Sequence, residues 1–354
     1  MILIDNNHKK KAVIHISHSD GKGTYPERRA ETIARALEGV EIIFLRGNHS
    51  PVAPTDFKTV TIAPSSTLLK TISEIKPDIL LRDTGSTLQE EVEKICEIVP
   101  TVIHFDDFGE GGKFADIVFQ TLYSETNDQV PDHYIQGIKN FIVDEQLASY
   151  KNIGLKRKLS QPLPHLVISF GEEDTGNLSY RALRHMLQLQ IPLKVTVLVG
   201  ENYSHDVSEL QMMALGRRNT FIQTFPFDLH EAFSSADIVL CASGYMPFEI
   251  AVMGIPCVVV AQNDFELSLA FPKEQHGFIH LGTGRKIKQS SLLNAIMEPL
   301  LHESLRKKAI ARQTALGLGS GKDSIVEAIY YYLEYPKRKT GGESTGKKTS
   351  NMLQ

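Results

Sequence analysis

The chain has 354 residues, 42% of them apolar and 23% charged, with a formal net charge of −4. That length exceeds what one ordinary core fills and predicts two domains, while the composition excludes a disordered chain. The slight acidity argues against nucleic acid as a partner, and no run approaches the roughly 18 to 20 apolar residues of a membrane span.

The N-terminal "MILIDNNHKKKAVIHIS" leads its lysines straight into a strand. This is not the order of a signal peptide, and it predicts a cytoplasmic protein. The next segment, "HISHSDGKGTYPERRAETIARAL" (15–37), runs a strand into a loop and then into an amphipathic helix opening near Pro26. Gly21 and Gly23 flank Lys22 there, and free N–H groups at the helix start face the turn, which suits either an anion or a plain tight β-to-α turn. "AVIHIS", "EIIFL", "DILLR" and "TVIHF" read as strands, with helices at 27–37, 67–74 and 88–98 between them. The alternation predicts a parallel sheet covered on both faces.

Residues 150–164, "YKNIGLKRKLSQPLP", break the pattern with charge and two prolines and read as a linker. The alternation then resumes with strands "HLVISFG", "LKVTVLVG", "TFIQTF", "ADIVLCASG" and "IPCVVVAQ". Helices at 177–188, 208–215, 229–235 and 247–253 separate them. The expected fold is therefore α/β of GT-B type, two Rossmann-like domains facing each other across a cleft. The expected domains are 1–155 and 160–335, the second binding nucleotide, followed by a disordered tail, 336–354, rich in Gly, Ser, Thr and Lys. Chemistry is expected in the loops after the carboxyl ends of the strands.

"ADIVLCASGYMPFEIAVMGIPCVVVAQ" (236–262) carries most information. A strand ends in Ser243 and Gly244, where small residues let a ligand approach the backbone, and Pro247 opens a helix aimed at the same spot. That geometry suits a diphosphate. Glu249, in the first helical turn, is positioned either to accept from ribose hydroxyls or to complement the helix N-terminus. Gly254 ends the helix.

This pattern resembles the nucleotide-binding half of MurG-type glycosyltransferases. More closely, it is similar to the spore coat polysaccharide biosynthesis protein SpsG and the UDP-sugar hydrolases of pseudaminic acid biosynthesis. "PDILLRDTG" (77–85), "VIHFDDFGEGGKFADIV" (102–118) and "LVISFGEEDTGNLS" (166–179) resemble that family in the same order, so the likeness spans about residues 12–333. It implies a nucleotide-sugar substrate, UDP-linked by preference, no cofactor and a role in surface or spore coat polysaccharide synthesis. It also implies that Gly171, Asp174 and Asn177 approach the diphosphate and that Asp83 faces the cleft, with Gly21 and Gly23, on the sugar side. No oligomeric state is read from it.

The family's G-x-G-H-x-x-R loop departs here: Thr24 stands at the histidine that activates water, and the arginine moves by one position to Arg28. A threonine hydroxyl titrates far above neutral and does not replace imidazole as a base, which leaves His18 and Asp20 as substitutes. Glu172 replaces a glycine and would repel a diphosphate unless turned outward. "FELSLA" (265–270) stands where MurG-type proteins carry H-Q-x-x-N-A, keeping a polar sugar contact only at Glu266. Hydrolysis, glycosyl transfer and binding without turnover are the three readings.

Other signals read as structural. Cys96, Cys241 and Cys257 lack C-x-x-C spacing and are expected as reduced core residues. "GLGSGKDS" (317–324) imitates a P-loop without its leading strand and reads as a loop before the last helix. "HFDD" (104–107) reads as a capped strand end with no metal, and "IYYYLEY" (329–335) as the packed face of a terminal helix.

Overall fold

The computed structural model describes residues 9–17, 25–47, 56–62, 67–125, 130–156, 163–189, 191–225 and 228–338. The first half contains β1 (Lys11–Ile16), α1 (Tyr25–Ala36), β2 (Glu41–Gly47), β3 (Lys58–Ile62), α2 (Leu68–Ile75), β4 (Ile79–Asp83) and α3 (Gln89–Ile98). It continues through β5 (Val102–Phe105), β6 (Ile117–Gln120), β7 (Tyr134–Gln136) and α4 (Glu145–Ser149). The second half runs β8 (His165–Ser169), α5 (Leu178–Met186), β9 (Lys194–Val199), α6 (Val207–Ala214), β10 (Thr220–Thr224) and α7 (Leu229–Ser234). It ends with β11 (Ile238–Cys241), α8 (Met246–Met253), β12 (Cys257–Ala261), α9 (Asp264–Ser268), β13 (Phe278–Thr283), α10 (Gln289–Leu301), α11 (Glu303–Ala315) and α12 (Gly321–Glu334).

Among the described residues these strands form two sheets, ordered β3-β2-β1-β4-β5-β6-β7 and β10-β9-β8-β11-β12-β13. Neighbouring strands pair in parallel, as β1 with β4 and β8 with β11. Strands buried on both faces explain the near-continuous apolar runs "AVI", "LVI" and "CVVVA". In both sheets the order reverses beside the first strand, between β1 and β4 and again between β8 and β11, and such reversals open a crevice at the carboxyl ends.

The last helix departs from the expected domain division. Residues 321–334 fall within the expected second domain, yet Ile325, Ala328, Ile329, Tyr332 and Leu333 of α12 pack with Ile14, Ile33 and Phe105 in the first domain's core. The P-loop-like glycines serve this crossing: a Cβ on Gly321 would lie 1.5 Å from the Lys139 carbonyl oxygen, so only glycine permits the approach. Two residues of the expected tail, Lys337 and Arg338, are also anchored. Arg338 pairs with Asp116 and donates its amide to Pro100, and Lys337 donates to Thr101. Residues 339–354 lie outside the described residues.

The two halves share a core. Tyr25, Leu122 and Phe141 of the first pack with Val167, Phe233, Phe248 and Phe271 of the second. Tyr25 stacks on Phe141 at 4.7 Å between centroids, Phe141 on Phe248 at 5.0 Å, and Phe248 on Phe271 at 3.7 Å. The linker adds a close approach, since a Cβ on Gly154 would lie 1.8 Å from the Gly254 carbonyl.

Candidate functional site

A cavity of about 380 Å³ lies between the sheets at their carboxyl ends. From the first domain it is lined by Tyr25 and Arg28 of α1, Gly85 and Ser86 after β4, and Phe108 and Leu122. From the second come Ser169 to Glu172 after β8, Ala242 and Gly244 to Met246 after β11, Glu249 of α8, and Gln262, Asn263, Phe265 and Glu266 after β12. Both sheets thus present their reversal points to one space. Gly171 has φ of +85°, which favours glycine, and at both Gly171 and Gly244 an added Cβ would meet nothing within 4 Å. The chain forms two bare backbone shoulders in the wall, and Gly244 stands just before the N-terminus of α8, whose dipole favours negative charge.

Arg28 is the cation in this wall among the described residues. Its Nη1 donates to Asp144 Oδ2 at 2.5 Å, and its Nη2 donates to Glu249 Oε1 across the domains. His230 Nε2 lies 3.3 Å from Arg28 Nη1 and 3.7 Å from Glu249 Oε1. Burial alone would push the Glu249 carboxyl up, but the Arg28 charge and then His230 outweigh it and hold it below the usual range.

Beneath the cavity floor the neighbouring Arg29 is 1% exposed. It donates to Asp83 Oδ2 at 2.8 Å and to Asp106 Oδ2 at 2.7 Å. Tyr245, at the start of α8, donates its hydroxyl to the same Asp106 oxygen at 2.6 Å and accepts from Arg29 Nη2 at 3.2 Å. Burial lowers the Arg29 pKa, but the charges of Asp83, Tyr245 and Asp106 raise it well above the ordinary value.

The structure distributes the expected site residues unevenly. Gly171, Gly244, Glu249 and Glu266 line the cavity. Ser243 lies just behind Gly244, fully buried, its amide and hydroxyl both bonded to Glu266. Asp174 is buried and accepts from the amides of Leu178 and Ser179, so it caps α5, and Asn177 accepts from the Tyr203 hydroxyl at 2.8 Å. Neither belongs to the cavity wall. Asp83 is buried in the Arg29 pair rather than presented to the cleft. Glu172 stays in the wall with Oε2 accepting from the Glu201 amide at 3.3 Å. His18, Asp20, Gly21, Gly23 and Thr24 lie outside the described residues; Tyr25 and Arg28, which follow them, line the cavity. Sequence reasoning missed Tyr245, Phe108 and Phe265, because an aromatic side chain carries no local signal that it faces a cleft rather than a core. Asp106 and Asp107 of "HFDD" cap their loops, accepting from the amides of Thr121, Leu122, Thr87 and Gly109.

No family model matches the chain. It is 24% identical over 306 residues to uncharacterized protein MJ1062 of Methanocaldococcus jannaschii, covering 82% of this chain and 59% of that protein. The chain therefore spans less than two thirds of that relative's length. Among solved structures it resembles MurG of Acinetobacter baumannii, with a TM-score of 0.64 at 15% identity over 91% of this chain and 99% of that one. It also resembles the UDP-GlcNAc 2-epimerase of Neisseria meningitidis bound to UDP-GlcNAc, with a TM-score of 0.64 at 12% identity over 91% of this chain and all of that one. The fold is GT-B. Among the described residues, no helix is long and apolar enough to cross a membrane.

Proposed function

We propose that the chain binds a UDP-sugar in the cleft and hydrolyses its link to the nucleotide. The diphosphate lies over the bare backbone at Gly171 and Gly244, the ribose meets Glu249, and the sugar extends toward Gly85 and Ser86. Water attacks the anomeric carbon, the bond from that carbon to the UDP oxygen breaks, and the water proton passes to a base, for which His18 and Asp20 are the candidates. The observation that carries this reading is the cavity itself: two glycines leave room beside a helix N-terminus at the reversal point of the second sheet. Glycosyl transfer is the second reading, favoured by Thr24 at the position of the family's catalytic histidine.

The test is incubation with UDP-N-acetylglucosamine, with and without acceptor sugars, alongside thermal melting with UDP. A ligand bound by the folded form alone raises the melting temperature, and Gly244→Leu is expected to abolish that rise. Thr24→His is expected to speed hydrolysis by up to ~10²- to 10⁴-fold without tightening UDP binding. Consumption only with an acceptor establishes transfer instead. No melting shift with millimolar UDP or its sugars would remove the nucleotide site.

A further inference from the structure

Within that nucleotide site, one carboxylate occupies a main-chain donor that a phosphate would use. Glu266, on the short helix after β12, turns its side chain back under the Ser243–Gly244 loop. Its Oε2 accepts from the Ser243 amide at 3.2 Å and from the Gln262 amide at 2.9 Å, while Gln262 Nε2 donates to Oε1 at 3.2 Å. The Ser243 hydroxyl donates to the Glu266 carbonyl at 2.9 Å, tying the helix to the loop. An N–H between a strand end and a helix start is the usual partner of a bound anion. Here an internal anion already holds it.

Charge makes the conflict sharper. The described wall residues include one cation, Arg28, and three carboxylates, Glu172, Glu249 and Glu266, and Arg28 is already paired with Glu249 and Asp144. A diphosphate entering this wall meets a negative field unless one carboxylate gives way. Glu249 is pinned by the Arg28 charge and by His230. Glu266 bonds only to neutral amides among the described residues, so losing its charge or swinging away costs it no ion pair.

We propose that Glu266 controls ligand entry by competing with the ligand's phosphate for the Ser243 amide, so that a nucleotide sugar binds once this carboxylate has taken a proton from solvent or been displaced. The inference rests on the nucleotide-site reading above. Burial pushes the Glu266 carboxyl up by more than the Gln262 and Ser243 bonds draw it down, and Asp174, facing it from the turn before α5, adds to the rise. Among the described residues, Arg28, Glu172 and Glu249 share the cavity wall with it, and the buried Cys241 thiol lies within reach of its charge. Protonation removes the competing charge, so affinity rises as pH falls.

The experiment is calorimetric titration of the full chain with UDP-N-acetylglucosamine at about pH 8 and about pH 5.5, a range in which carboxyls of raised pKa titrate. The phosphodiester groups of this probe keep one charge each throughout. Wild type is expected to bind about tenfold tighter at the lower pH. Glu266→Gln is expected to bind about tenfold tighter than wild type at the higher pH, with a flattened pH profile. Glu266→Ala should shift in the same direction, and melting curves of both variants confirm folding. The wild-type pH profile stands as a test even if a variant unfolds. Binding that is independent of pH and no tighter in Glu266→Gln overturns this inference and leaves the nucleotide site standing. Weaker binding by both folded variants also overturns it, making Glu266 a direct ligand contact. No binding by any form overturns both readings.

Discussion

Arg28 and Arg29 are consecutive in sequence and differ in what surrounds them. About 100° of helical turn separates them, so one guanidinium enters the cavity wall and the other goes beneath it. Arg29 satisfies two carboxylates from the ends of β4 and β5 and the hydroxyl of a tyrosine from the other domain. Removing it leaves Asp83 and Asp106 buried without their cation, which is the costly way to break a buried pair. Arg29→Met should lower stability by roughly 3 to 5 kcal/mol in urea unfolding. Arg29→Lys should recover only part of this, because a single ammonium does not reproduce the fork that reaches both acids. A loss below about 1 kcal/mol would mean that the acids are neutralised some other way.

Across the first sheet, His15 on β1 stands in register with Arg82 on β4, and Arg82 with His104 on β5. In-register residues of parallel strands share a face, so three basic side chains form a buried row. His104 Nδ1 lies 2.6 Å from Asp107, and Arg82 donates to Glu91. Among the described residues, His15 Nδ1, Arg82 Nε and Nη1 and His104 Nε2 are buried without a hydrogen-bond partner. Burial, then the charges of Arg82 and His104, hold the His15 pKa well below its ordinary value. A histidine depressed in the folded state takes up its proton only on unfolding, so stability falls as pH drops below about 6.5. His15→Leu should raise stability by about 1 kcal/mol or more at neutral pH and lessen the acid loss, read from urea titrations at both pH values. Lower stability at both would show that the imidazole has a partner after all. Little of this row was legible in the sequence, because a histidine in a strand looks the same whether or not its neighbours are basic. The β/α alternation was legible, since doubly buried strands write themselves as apolar runs. β3 and β7 were not: they are half-exposed edge strands without such a run. At the site, the small residues after β11 and the proline opening α8 are local signals that sequence carries well. The Arg28 to Glu249 pair joins residues 221 positions apart, and no local pattern encodes it.

The shared aromatic core decides how the whole molecule behaves. Tyr25 packs on Tyr245 at 4.4 Å and Phe141 on Phe248 at 5.0 Å between ring centroids, both across the domains, so neither half keeps its packing alone. Calorimetry should therefore show one unfolding transition whose calorimetric and van't Hoff enthalpies agree. Two resolved transitions would mean that the halves are independent. The crossing of α12 bears on biosynthesis. A ribosome releases the strands and first helix of the N-terminal half early, with Ile14, Ile33 and Phe105 facing outward. The residues that cover them, from Ile325 to Leu333, are made only after the entire second half. Since an uncovered apolar face invites aggregation, the nascent chain must keep this surface out of trouble through most of its own translation.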